Sequence, residues 1–337
     1  MERNLFMKKL NYISLLCIAI VVCIIVTLLS ICLGSARLSL LELWEAIINK
    51  TESGFAQNIF WYVRLPRTLG CLLAGAGLAV AGAVIQGVLA NQLASPSIIG
   101  VNAGAGLAVT ICCACGVLTG LAITMASFIG AMFAVILIVT VARKVSASRT
   151  TVILAGVAIN SFLNAGSEAI TTLVPEVALM NADFRVGGFS SVSYVRLLPA
   201  GIVIIIALII LLSLCNELDV MTLGEETAQG LGLSVKWMRT IFLGLSALLA
   251  GASVSFAGLL GFVGLIVPHA IRKITGSESK KLLPLCAVCG AIFVTFCDLC
   301  SRLIFSPYEV PVGIIMSFLG GPFFLWLLLK KKGGRVE

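Results

Sequence analysis

The stretch LNYISLLCIAIVVCIIVTLLSICL, residues Leu10–Leu33, contains no charged side chain. A helix needs about 20 mostly apolar residues to cross the hydrocarbon core of a bilayer, and this stretch is long enough. It follows Arg3, Lys8 and Lys9, and no small-residue cleavage site ends it. We therefore expect a retained membrane span here rather than a cleaved signal peptide.

The rest of the chain repeats this apolar pattern. Nine further runs follow: Tyr62–Ile85, Ile98–Leu118, Leu121–Val141, Val152–Val174, Val195–Cys215, Trp237–Ala257, Leu259–Ile271, Leu282–Phe305 and Val312–Leu329. The eighth run is short and contains Pro268, which a membrane helix tolerates where neighbouring groups satisfy the freed backbone. The sequence therefore predicts an all-α integral membrane protein with about ten transmembrane helices in a single transmembrane domain, residues 1–337.

The composition excludes most soluble classes. Hydrophobic residues make up 60% of the chain and charged residues only 11%, whereas soluble domains are nearer half apolar and a quarter charged. We find no P-loop, nucleophile elbow or zinc-protease motif, so we expect no catalytic residues. Most of the twelve cysteines lie in apolar runs and are expected to pack as small apolar residues, with no metal site.

The net charge of +8 is interpreted by position rather than as a sign of nucleic-acid binding. With the N-terminus inside and all ten spans crossing, 16 of the 23 Lys and Arg residues lie on the inner side. Basic residues are enriched on the cytoplasmic side of membrane proteins. The sequence therefore predicts that both termini are cytoplasmic.

Two of the predicted spans share a pattern of small residues. The segment LAGAGLAVAG at Leu73–Gly82 agrees with LAGASVSFAG at Leu249–Gly258 at six of ten positions. These segments belong to the second and seventh spans, which run in opposite directions because five spans separate them. The pattern favours an inverted internal repeat, as in many transporters, although small-residue helices also resemble one another by chance.

The most polar stretch within the body of the chain is Asn216–Val235, which we call the polar segment. It lies between the sixth and seventh spans and is predicted to be cytoplasmic. Thr222 and Glu225 have the spacing of a capping box, and Gly230 and Gly232 can end one helix and start another. We expect two short helices that form a docking surface; the alternative is an ordinary solvated connector.

Arginines mark the outer end of the second span. Arg64 and Arg67 flank Pro66, and we expect both to be exposed, where they would suit recognition of carboxylates. The alternative is that they are interface anchors with snorkelling side chains. In the ninth span, Asp298 and Arg302 are four residues apart and are expected to form an ion pair on one helix face.

A polar stripe runs along the fifth span. Asn160, Asn164 and Glu168 are spaced by four residues and therefore share one helix face. Because polar groups facing lipid are costly, the stripe should face protein or a water-filled pathway. Hydrogen bonding between helices and a pathway-lining role both remain open.

Several motifs together resemble the FecCD-type permease subunits of ABC importers for ferric siderophores, haem and cobalamin, which are type II importers. They occur along most of the chain: RLPRT at 64–68, GAVIQG at 82–87, IGV at 99–101, LAGVA at 154–158, LGEE at 223–226, GFVGLIVPH at 261–269, EVPVG at 309–313 and GGPFF at 320–324.

The resemblance implies a permease that pairs with a second copy, as a homodimer, in the cell membrane (the inner membrane). Two cytoplasmic ATPase subunits, which bind ATP and Mg, and an extracytoplasmic substrate-binding protein are the other implied partners. It implies no cofactor on this chain and no enzymatic activity.

The resemblance also assigns roles to residues. It implies that the binding protein docks on Arg64, Arg67 and Arg302. It implies that the coupling helices that contact the ATPase include Leu223, Gly224, Glu225, Glu226, Gly230, Leu231 and Gly232. The inner gate and the pathway include Asn91, Leu93, Asn160, Asn164 and Glu168.

The expected function is import of a metal chelate, with a ferric siderophore favoured over haem or cobalamin. The alternative is a secondary transporter driven by an ion gradient, with Glu168 as its proton site.

Overall fold

The computed structural model describes residues 11–34, 42, 44, 46, 54–145 and 148–332, and every regular element within them is a helix. The helices are α1 Tyr12–Cys32, α2 Phe55–Val88, α3 Val101–Ala114, α4 Gly120–Val145, α5 Arg149–Leu173, α6 Pro175–Met180, α7 Ala182–Val186, α8 Tyr194–Ser213, α9 Cys215–Thr222, α10 Glu225–Gly230, α11 Val235–Ala257, α12 Val263–Thr275, α13 Ser279–Leu303 and α14 Val312–Lys332. A short π-helical stretch, Ile59–Arg64, lies within α2.

Seven of these helices are long and apolar enough to cross a membrane: α1, α2, α4, α5, α8, α11 and α13. Two shorter apolar helices are α3 and the Val312–Trp326 part of α14. Each of the ten predicted apolar runs overlaps one helix, and the short eighth run overlaps α12. The prediction of an all-α membrane protein is confirmed.

Helix α2 lies at the centre of the bundle. In its most apolar 18-residue stretch 78% of the residues are buried, against 17% for α1. Helices α13, α11 and α12 pack around α2, whereas α1 lies at the edge against α13. Large side chains such as Ile13, Ile24 and Leu28 are exposed on α1, as expected for a helix that faces lipid.

Glycines bring α2 close to its neighbours. A Cβ atom added to Gly75 would lie 2.3 Å from the carbonyl oxygen of Gly290 in α13. One added to Gly82 would lie 2.1 Å from the carbonyl oxygen of Gly264 in α12. Small residues allow such backbone contact between membrane helices, where dispersion forces rather than the hydrophobic effect hold the helices together.

Two short helices form in the part of the chain that holds the polar segment, but only α10 lies where the sequence predicts one, between Thr222 and Gly230. Helix α9 precedes it, and the stretch after Gly232 leads directly into α11. Thr222 is the last residue of α9, and its hydroxyl donates to the carbonyl of Asp219 instead of capping a new helix. Gly224 separates the two helices, because its φ of +116° is not a helical angle. Residues other than glycine rarely adopt that angle. The predicted capping box at Thr222 and Glu225 is therefore wrong, while the predicted helix end at Gly230 is confirmed.

Candidate functional site

Four charged residues form a cluster between the first half of α2 and the end of α13: Arg67, Asp298, Arg302 and Glu309, which we call the charged cluster. Asp298 is fully buried. Nε of Arg67 lies 3.1 Å from both of its carboxylate oxygens, and Nε of Arg302 lies 3.1 Å from Oδ2. Arg67 also donates through Nη1 to Glu309 Oε2, at 2.7 Å. Two positive and two negative charges therefore balance locally.

Arg302 of the charged cluster and the nearby Arg64 tie α1 to the bundle. Arg302 donates to the hydroxyl of Ser30 at 2.8 Å and to the carbonyls of Ser30 and Leu33, both at 3.1 Å. Arg64 donates to the last carbonyls of α1, including that of Cys32 at 2.7 Å. The side chains thus satisfy carbonyls that have no partner within the helix at its C-terminal end.

The expectation that Arg64 and Arg67 are exposed is wrong, and Arg302 is buried as well. Arg64, Arg67 and Arg302 are 4%, 6% and 2% exposed, because carboxylates and helix-end carbonyls of the same chain hold them. The predicted pair between Asp298 and Arg302 is confirmed. The docking role of the three arginines stays a prediction.

A cavity of about 270 Å³ reaches the charged cluster. Arg67 and Glu309 line it, together with Asp183 and Arg196. The Glu309 side chain is half-buried. The cluster is thus open to its surroundings on the side where Glu309 lies.

The polar segment lies at the end of the bundle where α11 and α13 begin. The carboxylate of Asp219 in α9 accepts from the backbone N–H of Ser279 at 2.9 Å and from its hydroxyl at 2.6 Å, which fixes α9 to the start of α13. Leu223 and Leu231, on either side of α10, are 63% and 64% exposed. The two leucines thus leave apolar surface on both sides of α10.

The two adjacent glutamates of α10 differ in their environment. Glu225 forms an ion pair with the buried Arg239 of α11, whereas Glu226 is exposed. The two predicted coupling carboxylates therefore do not present the same surface.

The polar stripe of α5 divides into two parts. Asn160 donates through Nδ2 to the carbonyl of Ser97 at 2.9 Å, so it bonds to the turn before α3 and not to another helix. Asn164 and Glu168 are exposed and line a cavity of about 200 Å³ together with Asn102 of α3. The pathway-lining role of Asn164 and Glu168 stays a prediction.

The predicted gate residues lie in the turn after α2. The backbone N–H of Leu93 donates to Oδ1 of Asn91 at 3.0 Å, and Ala90 has a φ of +47°. Through Asn160, the chain that follows this turn is attached to α5. The structure thus joins the chain just after this turn to Asn160 of the polar stripe, which is 63 positions away from Ser97 in the sequence.

Sequence reasoning missed four charged residues that take part in these ion pairs and hydrogen bonds: Glu309, Asp219, Arg149 and Arg239. Glu309 is part of the quoted motif EVPVG, but nothing in the sequence pairs it with Arg67. Arg149 counted only as an inner-side charge, whereas it contacts the polar segment.

The chain resembles known permeases over almost its full length. Residues 22–330 match the FecCD transport family. The chain is 32% identical to the hemin transport system permease protein HmuU of Yersinia pestis over 329 residues, which cover 93% of this chain and 96% of that protein. It is also 32% identical to the Fe(3+)-citrate import system permease protein YfmE of Bacillus subtilis strain 168, over 97% of this chain and 98% of that protein.

A solved structure agrees with these sequence relatives. An inward-facing transporter assigned to the metal-chelate type of ABC transporters superimposes with a TM-score of 0.84 at 27% identity, over 94% of this chain and 99% of that one. Seven apolar helices and this family match identify a multi-pass protein of the cell membrane. The chain belongs to the FecCD transport family, whose members are permease subunits of ABC importers rather than enzymes.

Proposed function

We propose that this chain is the transmembrane permease of an ATP-driven importer that moves a ferric siderophore from a binding protein to the cytoplasm. The match to the FecCD transport family over residues 22–330 carries the proposal. Relatives named for hemin and for ferric citrate favour an iron chelate; haem and cobalamin are the alternatives. Two copies of the chain form a homodimer in the inner membrane, and ATP and Mg bind to the partner ATPases.

The proposed architecture has ten spans in two inverted halves, with both termini cytoplasmic. Helix α2, the second span, packs on α13, the ninth, and α11, the seventh, packs on α4, the fourth. The second span corresponds to the seventh and the fourth to the ninth, so each helix of one pair has its counterpart, five spans away, in the other pair. The repeated sequence supports this correspondence, since Gly75 meets Gly290 of α13 and Gly251 meets Ala131 of α4.

At the outer end, we propose that acidic groups of the binding protein approach Arg64, Arg67 and Arg302. The cavity beside Glu309 supports access to Arg67. At the inner end, the turn with Asn91 and Leu93 acts as a gate. Asn164 and Glu168 line the pathway between these ends.

At the cytoplasmic face, the polar segment is proposed to be the coupling element. Its exposed side chains include Leu223, Leu231 and Glu226. The glycines Gly224, Gly230 and Gly232 shape the turns around them, and each has nothing within 4 Å of its Cβ position. A partner ATPase would cover the two leucines, which are otherwise apolar surface in water.

Glu226→Lys should weaken assembly with the ATPase by at least tenfold. The substitution reverses an exposed charge beside the two leucines without disturbing an ion pair inside the permease. Glu278→Lys, which reverses another exposed charge at the start of α13, is the matched control. Co-purification of the co-expressed ATPase with tagged permease measures the effect, and equal yields from both variants would remove the polar segment from the interface.

Uptake tests the transport proposal directly. Cells that lack their own iron-chelate permeases would express the chain with its ATPase and binding protein. We expect ATP-dependent accumulation of radioactive iron supplied as a ferric siderophore, and little accumulation of labelled haem or cobalamin. Accumulation of cobalamin alone would reassign the substrate, and no accumulation of any of the three would contradict the proposal.

Glu168→Gln separates the ABC importer from the alternative of a secondary transporter. We expect the variant to transport more slowly but with an unchanged ATP requirement and no response to a protonophore, because ATP rather than a proton gradient supplies the energy. Proteoliposomes that contain the whole complex, with and without ATP, provide the measurement. If wild-type uptake collapsed with the proton gradient and the variant lost that dependence, secondary transport would be the better description.

A further inference from the structure

Three side chains meet at the start of α10. The buried guanidinium of Arg239, on α11, forms an ion pair with the carboxylate of Glu225. Arg149, the first residue of α5, has its Nε 4.0 Å from the same carboxylate oxygen. Nη2 of Arg149 also donates to the carbonyl of Met221 in α9, at 2.8 Å. We call Glu225, Arg239 and Arg149 the clasp.

The clasp connects three parts of the fold. Glu225 is the first residue of α10, so its carboxylate moves with the polar segment. Arg239 belongs to α11, which is continuous with the polar segment, but Arg149 belongs to α5, which is some 75 residues away in the sequence. Arg149 therefore links the polar segment to a helix that is not its neighbour along the chain.

Helix α5 is also tied to the proposed pathway. Asn160 holds the chain at Ser97, and Gly156 lies so close to Ile98 that an added Cβ would be 2.2 Å from its carbonyl oxygen. Further along α5, Asn164 and Glu168 line a cavity. A displacement of Arg149 would thus be passed along one rigid helix to the polar stripe.

We propose that Glu225 is a positioning residue whose ion pairs make α5 follow the polar segment when nucleotide binding moves that segment. The inference rests on the proposed function, because it takes the polar segment as the surface that the ATPase displaces. Glu225 and Glu226 then divide two tasks. Glu226 faces the partner, and Glu225 transmits the motion inward.

This ion pair is buried on one side: the Arg239 side chain is 5% exposed and the Glu225 side chain 40%. Exposed ion pairs contribute little, because water and salt screen them; the pair between Glu278 and Lys281, both exposed, is of that kind. The Arg239 guanidinium is withdrawn from water, so replacing the Glu225 carboxylate by an amide removes an opposite charge from a buried cation. The pair with Arg239 should therefore hold the Glu225 carboxylate beside Arg149 while the polar segment moves. Loss of the exposed pair between Glu278 and Lys281 should leave the motion of α5 unchanged.

Hydrogen exchange on the full-length permease in complex with its ATPase tests the proposal. In the wild type, ATP with Mg and vanadate should change amide exchange both in the polar segment and in α5. In Glu225→Gln the change in the polar segment should persist, while that in α5 should fall at least twofold. Arg149→Gln should give at least the same loss in α5, because it also removes the hydrogen bond to the carbonyl of Met221, and the double variant should be no worse than Arg149→Gln alone. Glu278→Gln, the matched control, should behave as the wild type.

The outcomes separate the clasp from the function on which it rests. The proposal would be overturned if nucleotide changed amide exchange in α5 of the Glu225→Gln complex as much as in the wild type. It would also be overturned if Glu225→Gln only weakened assembly with the ATPase. If no ATPase binds the wild-type permease, the proposed function fails. In that case exchange in the permease alone still tests the clasp, since Glu225→Gln should loosen both α10 and the first turn of α5, and no loosening of α5 would overturn it.

Discussion

Replacing Gly75 by alanine should leave little correctly folded permease, although the substitution adds only one methyl group. The new Cβ would lie 2.3 Å from the carbonyl oxygen of Gly290 and 2.9 Å from the Cα of Ala291. Both contacts are with the backbone of α13, so no side chain can rotate away. Overpacking typically costs about 1–3 kcal/mol where side chains can adjust, and we expect a larger loss where two central helices must separate.

Gly244→Ala is the matched control for this prediction. Gly244 lies in α11, and nothing is within 4 Å of its Cβ position. Alanine favours a helix over glycine by about 1 kcal/mol, so the control should be neutral or slightly stabilising. The fraction of monodisperse protein after detergent extraction and the midpoint of thermal unfolding measure both variants. Equal behaviour of the two variants would mean that α2 and α13 do not make this close contact.

The long apolar helices of this fold can be predicted from sequence because each is encoded locally, whereas the short helices α6 and α7 were not predicted. A run such as Leu10–Leu33 needs no partner to be identified as a span, since the bilayer alone fixes the required length and polarity. The repeated LAGA segments likewise indicate close packing, because only small residues allow it. They do not say which helix lies opposite, and the contact of Gly75 with Gly290 is visible only in the structure.

Predictions for the polar side chains were less complete, because their partners are distant in the sequence. Asp298 was predicted to pair with Arg302, four residues away, but not with Arg67, which is 231 positions away. Glu225 was expected to resemble Glu226, whereas Arg239 draws it inward. A positive φ at Gly224 moved the boundaries of the short helices, and the pattern of polar residues alone does not determine that angle.

Asp298→Asn should destabilise the permease by roughly 3–5 kcal/mol, the usual cost of removing one partner from a buried ion pair. The loss is large against a total stability of about 5–15 kcal/mol. The amide keeps the shape of the side chain but removes the charge that Arg67 and Arg302 share. Glu309→Gln, at the half-buried edge of the cluster, should cost less, because water can solvate Arg67 on that side.

Measuring thermal unfolding of the isolated permease distinguishes a structural role from a docking role for these arginines. If Asp298 holds the ends of α1, α2 and α13 together, Asp298→Asn lowers the midpoint with no binding protein present. If Arg67 and Arg302 serve only to bind an acidic partner, the midpoint should stay unchanged. The variant should then bind that partner more tightly, because two arginines lose a competing carboxylate. The hydrogen bonds from Arg302 to Ser30 and Leu33 favour the first outcome, since they join α13 to α1 independently of any partner.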